Sequence, residues 1–327
     1  MFEIIQCDDK QKWDKFILNS GGHPLQLWGW GQVKESHGWA CERLFGYVDG
    51  TPKIAVSILI KKLPKPFKSM CYIPRGGYNT SQELENFIND ITKYLKKKYK
   101  PVVLTIEPDS LIFEPPQGWK KSTNEILKPL TIQLDLTKNE SELLANMAKK
   151  TRQYIRKSTA DIKIVRSKSR EELKSLLDIY KDTAKRAQFN LHSDEYYFDV
   201  LDYMGENNLI YVALRDNKPV AFLWLAITMK TAYELYGGMN QLGSELRANY
   251  ALKWHAIKQC KQWGMEVYDF GGLLETGVST FKRNWSQEDT IMAGTYDIPM
   301  SRYYGLWSGL LPKVKKAIQA IKKIGRN

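Results

Sequence analysis

Cysteine and histidine are both scarce: the 327-residue chain has four of each, and no two cysteines form a Cys-x-x-Cys pair. Cys7, Cys41, Cys71 and Cys260 lie far apart, as do His23, His37, His192 and His255, so no structural zinc spacing can be assembled. Dispersed thiols read as buried and reduced, which suits a cytoplasmic protein. Long apolar runs are also missing. The longest, Val220 to Ile227, falls well short of the ~20 residues a membrane span requires. The first residues, Met1-Phe-Glu-Ile-Ile-Gln-Cys-Asp-Asp, have neither the basic start nor the apolar stretch of a signal peptide. These absences argue against a metal centre, an integral membrane protein and a secreted one.

What is present is ordinary for a folded chain: 43% hydrophobic and 26% charged residues, too apolar for disorder. At ~150 residues per domain the length allows two domains or one large one. Lys and Arg outnumber Asp and Glu by 49 to 36, a net charge of +13. Six basic residues and no acidic one fall between Lys313 and Asn327. The apolar residues there, Val314, Ala317, Ile318, Ile321 and Ile324, have helical spacing, with Trp307, Leu310 and Leu311 just ahead. A basic amphipathic helix of this kind suits peripheral contact with an anionic membrane face, or docking on the body of the protein with its lysines solvated.

The chain repeats itself. Leu44 to Ile60 reads as a β-hairpin around Asp49-Gly50, and Ile210 to Ile227 as a second around Asp216-Asn217, with Pro52 matched by Pro219. Tyr72-Ile-Pro-Arg-Gly-Gly77 corresponds to Tyr233-Glu-Leu-Tyr-Gly-Gly238. A helix and a strand follow in each half: Gln82 to Lys98 then Val102 to Pro108, and Leu246 to Trp263 then Glu266 to Gly272. Ile54 and Val220, Gly76 and Gly237, and Leu104 and Tyr268 are separated by 166, 161 and 164 residues, one shared spacing over three elements. In the second half, helices are expected ahead of the hairpin over Glu171 to Lys185 and Ser193 to Met204.

This order resembles the α/β fold of the GCN5-related N-acetyltransferases, with a mixed sheet. The expected fold is two such domains in tandem: residues 1–138, completed by 295–327, and residues 139–294. The junction is placed near Leu136 to Ser141, where a loop leads to a helix N-cap. Neither half carries the spaced glycines that let backbone N–H groups cradle the pyrophosphate of coenzyme A. The corresponding stretches are Gly238-Met-Asn-Gln-Leu-Gly-Ser-Glu and Gly77-Tyr-Asn-Thr-Ser-Gln-Glu. Coenzyme A is therefore disfavoured.

The chain resembles the FemABX peptidyltransferases over nearly its whole length. The matching elements are Leu25-Gln-Leu-Trp-Gly-Trp-Gly-Gln-Val-Lys34, Tyr72 to Gly77, Lys150-Thr-Arg-Gln-Tyr-Ile-Arg-Lys157, Tyr236-Gly-Gly, Tyr268-Asp-Phe-Gly-Gly272 and Phe281-Lys282. The resemblance implies transfer of an amino acid from aminoacyl-tRNA to the side-chain amine at position three of a peptidoglycan-precursor stem peptide. The acceptor is lipid-linked or a UDP-MurNAc-pentapeptide, and no cofactor beyond the tRNA co-substrate is implied. Between Arg170 and Asn208 there is room for only two short helices, not the long helical arm of FemA-like members, so the FemX-like members are the better comparison.

By the same resemblance, Phe281 and Lys282 form the catalytic pair, with the Lys282 ammonium stabilising an oxyanion or the tRNA 3′ end. Lys34 faces the precursor's phosphates, and Tyr236 lies in the acceptor cleft. His192 and Tyr196 occupy a second phosphate position where FemX-like members have an arginine and a tyrosine; Arg186 is a nearby substitute. Arg75, in the Tyr72 to Gly77 element, joins the substrate-binding set. Lys149, Arg152 and Arg156 share one helical face, which can track RNA phosphates or simply be solvated. Asp269, before Gly271-Gly272, reads as a backbone cap more readily than as a base. Two other functions remain open on this frame: an acyl-CoA-dependent N-acyltransferase and a non-catalytic cell-envelope precursor binder.

Overall fold

A computed structural model describes residues 2–76, 81–158, 162–273, 277–310 and 312–314. The chain divides into two compact units. The first draws its described residues from Met1–Phe16, Lys34–Pro129 and Met292–Asn327, the second from Ile17–Val33 and Leu130–Ile291. Strands and helices are numbered along the chain.

In the first unit β1 (Glu3–Gln6), β2 (Ala40–Val48), β3 (Thr51–Lys62), β4 (Ser69–Gly76) and β5 (Val103–Pro108) lie side by side in that order. The late strand β15 (Tyr296–Pro299) and the short β6 (Lys120–Lys121) complete a seven-stranded sheet. Pairing is antiparallel except between β4 and β5, which are joined by helix α3 (Ser81–Lys98). Leu84, Phe87, Ile88, Ile91 and Leu95 recur on one face of α3 and are buried against Val56, Ile58, Ile73 and Leu104.

The second unit repeats the plan. Its sheet runs β8 (Gln133–Asp135), β13 (Val267–Asp269), β12 (Thr231–Met239), β11 (Lys218–Ile227), β10 (Asn208–Arg215), β9 (Lys163–Ser167). Only β12 and β13 are parallel, and the connection between them carries helices α8 (Gln241–Glu245) and α9 (Ala248–Gln262). β7 (Leu130–Thr131) and β14 (Thr290–Ile291) form a separate two-stranded ladder. β11 is buried from Val220 to Ala226, as a central strand covered on both faces must be. Of the remaining helices, α1 (Lys10–Asn19) and α2 (Trp28–Ser36) precede the first hairpin, and α4 (Glu140–Ala145) and α5 (Lys149–Ser158) precede β9. Helices α6 (Arg170–Ala187) and α7 (Asp194–Met204) precede β10, and α10 (Gly277–Arg283) follows β13.

The duplication extends to detail. Asp49 and Gly50, and Asp216 and Asn217, all have positive φ, the backbone of a type I′ hairpin turn. Both hairpins shift register just inside the turn, where Tyr47 faces Pro52 and Leu214 faces Pro219. Tyr72 pairs with Thr105 and Tyr233 with Asp269, so the parallel strand pairs of the two halves share one register. The domain boundary corrects the expectation of a break at 138. β8 lies ahead of that point yet hydrogen-bonds to β13, while β15 pairs with β5. β8 thus belongs to the second unit, whose chain starts at Leu130, and β15 joins the first unit's sheet, in line with the expected completion by 295–327. Ile17–Val33 also counts with the second unit. The basic stretch of the C-terminal tail from Lys315 to Asn327 lies outside the described residues.

The donated strand β15 is fixed by a buried carboxylate. Asp297, 6% exposed, accepts hydrogen bonds from Thr105 Oγ1 (2.7 Å), Ser122 Oγ (2.8 Å) and Tyr304 Oη (3.1 Å). Replacing Asp297 with Ala strands these hydroxyls, with an expected cost of about 2–4 kcal/mol, read from the urea unfolding midpoint. Asp297→Asn should recover part of it.

Candidate active site

The site is built in the second unit around one strand and three helices. Opposite Trp224 and Leu225 the register of β12 slips, with Trp224 facing Tyr236 and Leu225 facing Glu234. Leu235 is the extra residue of a β-bulge, a device that re-aims side chains. Glu234 and Tyr236 on either side of it both line a cavity of about 490 Å³. The walls come from α6 (Tyr180, Thr183, Arg186), α9 (Leu252, Lys253) and α10 (Phe281, Lys282).

Helix α6 is held in place at both ends. The Ser169 side chain accepts from Glu172 N, and Gln188 closes the last turn in the left-handed conformation. Its buried stripe of Leu173, Leu176, Leu177, Tyr180 and Ala184 sets which residues face the strands. Arg186, near its end, turns its guanidinium to the Met239 carbonyl.

The cavity floor holds two lysines and one carboxylate. Lys253 donates to both oxygens of Glu234, whose Oε1 also accepts from Tyr268 Oη (2.9 Å). The Lys253 and Glu234 side chains are 9% and 8% exposed. Burial pulls the Lys253 ammonium below its usual range, and Glu234 opposes that shift. Lys282 donates to the Phe270 carbonyl and makes longer contacts, each 3.4 Å, to those of Gly271 and Gly272. Its ammonium is also shifted downward, by burial and by the charge of Lys253, against the pull of Glu234 and Asp269.

The 270–272 turn that holds Lys282 is braced from below. Asp269, 2% exposed, accepts from Gly271 N (2.7 Å), Thr131 Oγ1 (2.6 Å) and Gln133 Nε2 (2.8 Å). Its oxygens are occupied in capping the turn.

The structure brings Phe281, Lys282 and Tyr236 to this one cavity. Tyr196 is buried behind Tyr236, and the two phenols share a hydrogen bond. Burial pushes Tyr196 up to about 12 and Tyr236 well above its usual value. His192 stacks on Tyr196 with centroids 3.9 Å apart and planes 19° from parallel. Of the two cationic candidates for this side, Arg186 lines the cavity.

Lys34 and Arg75 belong to the first unit. Lys34, in the last turn of α2, is half-buried, and desolvation lowers its ammonium to about 8. Arg75 is 3% exposed and sits at φ +48° where β4 shifts register against β5. On α5, Lys149 and Arg156 are exposed, but Arg152 is not part of an open face. Its Nη1 donates to the carbonyls of Leu144, Ala145 and Met147 at 3.1, 3.3 and 2.7 Å. One nitrogen of the Arg152 guanidinium thus caps the chain at the end of α4, while Lys149 and Arg156 stay exposed on the same helix.

Sequence reasoning missed Glu234, Lys253 and Tyr268. The available signal was a lysine inside the largely apolar run Ala251-Leu-Lys-Trp-His-Ala-Ile257 and a glutamate in a buried strand, opposite charges where each pattern calls for a hydrophobe.

The two mixed sheets define a tandem acyltransferase-like protein, and comparison with known proteins agrees. The chain is similar to a tandem GNAT protein from the clavulanic acid biosynthesis pathway, with TM-score 0.53, 10% identity and coverage of 92% of this chain and 99% of that one. The match to the crystal structure of FemX is much closer in fold, with TM-score 0.84, 20% identity and coverage of 94% and 100%. Residues 9–115, 116–219 and 214–310 match the FemAB family, and the chain belongs to it. Its curated relatives include the Lipid II:glycine glycyltransferases of Staphylococcus aureus, strains MRSA252 and Mu50. They are 23% and 27% identical over 97% of this chain and 98% of the relative. Those alignments run over 414 positions against 327 residues here, so the relatives carry insertions. Between Arg170 and Asn208 this chain has only α6, α7 and one turn of 3₁₀ helix.

Two outcomes test this geometry. Glu234→Gln leaves Lys253 buried without a counter-charge and should cost about 3–5 kcal/mol. Adding Lys253→Met should restore most of that in the double variant, as read from chemical denaturation. Competitive amine labelling should show Lys34 titrating at about 8, and a bound diphosphate should move it upward by favouring the ammonium.

Proposed function

We propose that this FemAB-family transferase moves an amino acid from aminoacyl-tRNA to the stem-peptide amine of a peptidoglycan precursor. The observation that carries this reading is Lys282, an ammonium held by carbonyls at the edge of a largely apolar cavity beside a second, neutralised lysine. Aminolysis of an activated ester needs a neutral amine held in line, an oxyanion stabilised in a water-poor site and a path for one proton. The amine nitrogen attacks the ester carbon, the C–N bond forms, and the C–O bond to the ribose breaks. The proton lost by the amine goes to the departing 3′-oxygen. Lys282 supplies positive charge for the oxyanion. Its bond to Phe270 fixes the ammonium, while the two 3.4 Å contacts are weak enough for a developing oxyanion to replace.

Tyr236, backed by Tyr196 and Tyr180, gives the acceptor peptide a rigid aromatic wall, and Arg186 offers a charge to its carboxylate or phosphate groups. A coenzyme A site finds less support. Gly243 would be the phosphate-facing glycine, but a Cβ there would meet the Val220 carbonyl at 2.2 Å. Close packing of α8 on β11 accounts for that glycine.

The reaction is tested with purified protein, a mixture of charged tRNAs, and both UDP-MurNAc-pentapeptide and its lipid-linked form. A mass gain of one amino-acid residue on either acceptor, abolished by RNase, is the expected result. No gain on either, with acetyl-CoA turnover instead, would move the protein to the acyl-CoA class.

Lys282→Ala should then lower kcat by about 10²–10³-fold with the fold intact. Because the Lys282 ammonium is shifted downward, wild-type activity should fall on the alkaline side before an ordinary lysine would titrate. Lys282→Arg, which does not deprotonate, should extend activity to higher pH.

A further inference from the structure

One end of the first unit's sheet is built from lysine-rich segments, and the carboxylates bonded to them, Glu42 (to Tyr94 and Lys98) and Asp297 (to Tyr304), are buried. Three chain segments meet there: Val102 N donates to Ser69 O (2.8 Å), and Met300 N donates to Val102 O (3.1 Å). The turn between β3 and β4 closes with Leu63 N to Lys68 O (2.8 Å), and Trp307 packs edge-on against Phe67 in that turn at 5.3 Å. No Asp or Glu occurs in residues 61–73, 91–104 or 298–327. Lys62, Lys65, Lys68 and Lys100 are exposed around this end.

The chain after β15 adds an apolar row. Residues 304–310 are helical, with Trp307 turned inward at 9% exposure. Leu306, Leu310 and Val314 recur at four-residue intervals and are 55%, 41% and 42% exposed. An exposed aliphatic row on a lysine-rich stretch of chain that has no acidic residue of its own has a specific chemistry. It repels a second copy of itself, and RNA would leave the leucines unused because nucleic acid pairs with cations and stacks on aromatics. Acyl chains bury the aliphatic row while anionic headgroups meet the lysines.

We infer that this end of the first unit is a membrane-docking surface, with Leu306, Leu310 and Val314 entering the interface of an anionic bilayer and the surrounding lysines on its headgroups. In sequence the basic and apolar pattern continues beyond Val314. The surface is separate from the cavity around Lys282 and does not depend on the reaction assigned to it.

The test is co-sedimentation of the full chain with precursor-free vesicles, of phosphatidylethanolamine with phosphatidylglycerol or with phosphatidylcholine. Binding to the anionic vesicles should be at least about tenfold tighter and should weaken with salt. Leu306→Ser, Leu310→Ser and Val314→Ser together should reduce it by about tenfold or more, with no change in urea midpoint. Lys62→Glu, Lys65→Glu and Lys68→Glu together should remove most of the preference for anionic lipid. Equal binding to both vesicles, or unchanged binding of the serine variant, would overturn the inference. So would release of the protein by inorganic phosphate, the mark of a simple phosphate site, or variants that weaken tRNA binding while leaving vesicle binding intact. As the vesicles contain no precursor and no transfer is read, failure here is distinct from failure of the proposed reaction.

Discussion

One buried carboxylate sets the electrostatics of the second unit. Glu234 bonds Lys253 through both carboxylate oxygens, and its field also reaches Lys282. Two ammonium groups in an apolar cavity would drive each other toward the neutral form, since burial and like charge act in the same direction. Glu234 neutralises the one it touches, and carbonyl dipoles of the 270–272 turn hold the other. Lys282 is left with carbonyl partners rather than a carboxylate, and in the proposed reaction its charge serves the developing oxyanion. Four elements must converge for this: the bulge of β12, the middle of α9, Tyr268 on β13 and the end of α10.

The first half shows what the same frame looks like without that charge. Tyr72 and Thr105 occupy the places of Tyr233 and Asp269 in their sheets. The counterparts of Glu234 and Tyr268 are therefore Ile73 and Leu104, both fully buried in the aliphatic core with Phe87 and Ile91. One copy of the duplicated fold keeps a polar cavity between its central strand and the following helix, and the other fills the place with hydrocarbon. Burying two charges costs stability unless they are paired and hydrogen-bonded, so the polar copy is the one with a chemical reason to exist.

Much of this was legible in the sequence because hairpins, turns and helices announce themselves locally. Asp49-Gly50 and Asp216-Asn217 have the side chains that left-handed turn positions accept, and the matched prolines fix the register beside them. The helix over Glu171 to Lys185 was readable from Leu173, Leu176, Leu177 and Tyr180. The Phe281-Lys282 and Tyr236 positions were legible through resemblance, and they share a cavity. Other features depend on partners far along the chain. Arg152 looks like a solvated cation until the end of α4 is seen to need a donor. Glu234 and Lys253 are unremarkable apart and meaningful together. β8 and β15 are three and four residues long, too short for a two-residue period to declare a strand or its sheet.

The placement of those short strands bears on the chemistry. Asp269 holds the 270–272 turn through Gly271 N, and is itself held by Thr131 and Gln133. Those two residues precede the point where the second half was expected to begin. The carbonyls that fix Lys282 are thus positioned by the opening stretch of the second unit, ahead of its helices α4 and α5. A segment cut at residue 138 would retain Glu234, Lys253 and Lys282 and lose the brace beneath them. The turn would keep its glycines but not its cap, and Gly271 at φ +69° has little of its own to hold it there. The second unit therefore needs the chain from Leu130 onward, because the turn that holds Lys282 is capped by Asp269 and Asp269 is held by Thr131 and Gln133.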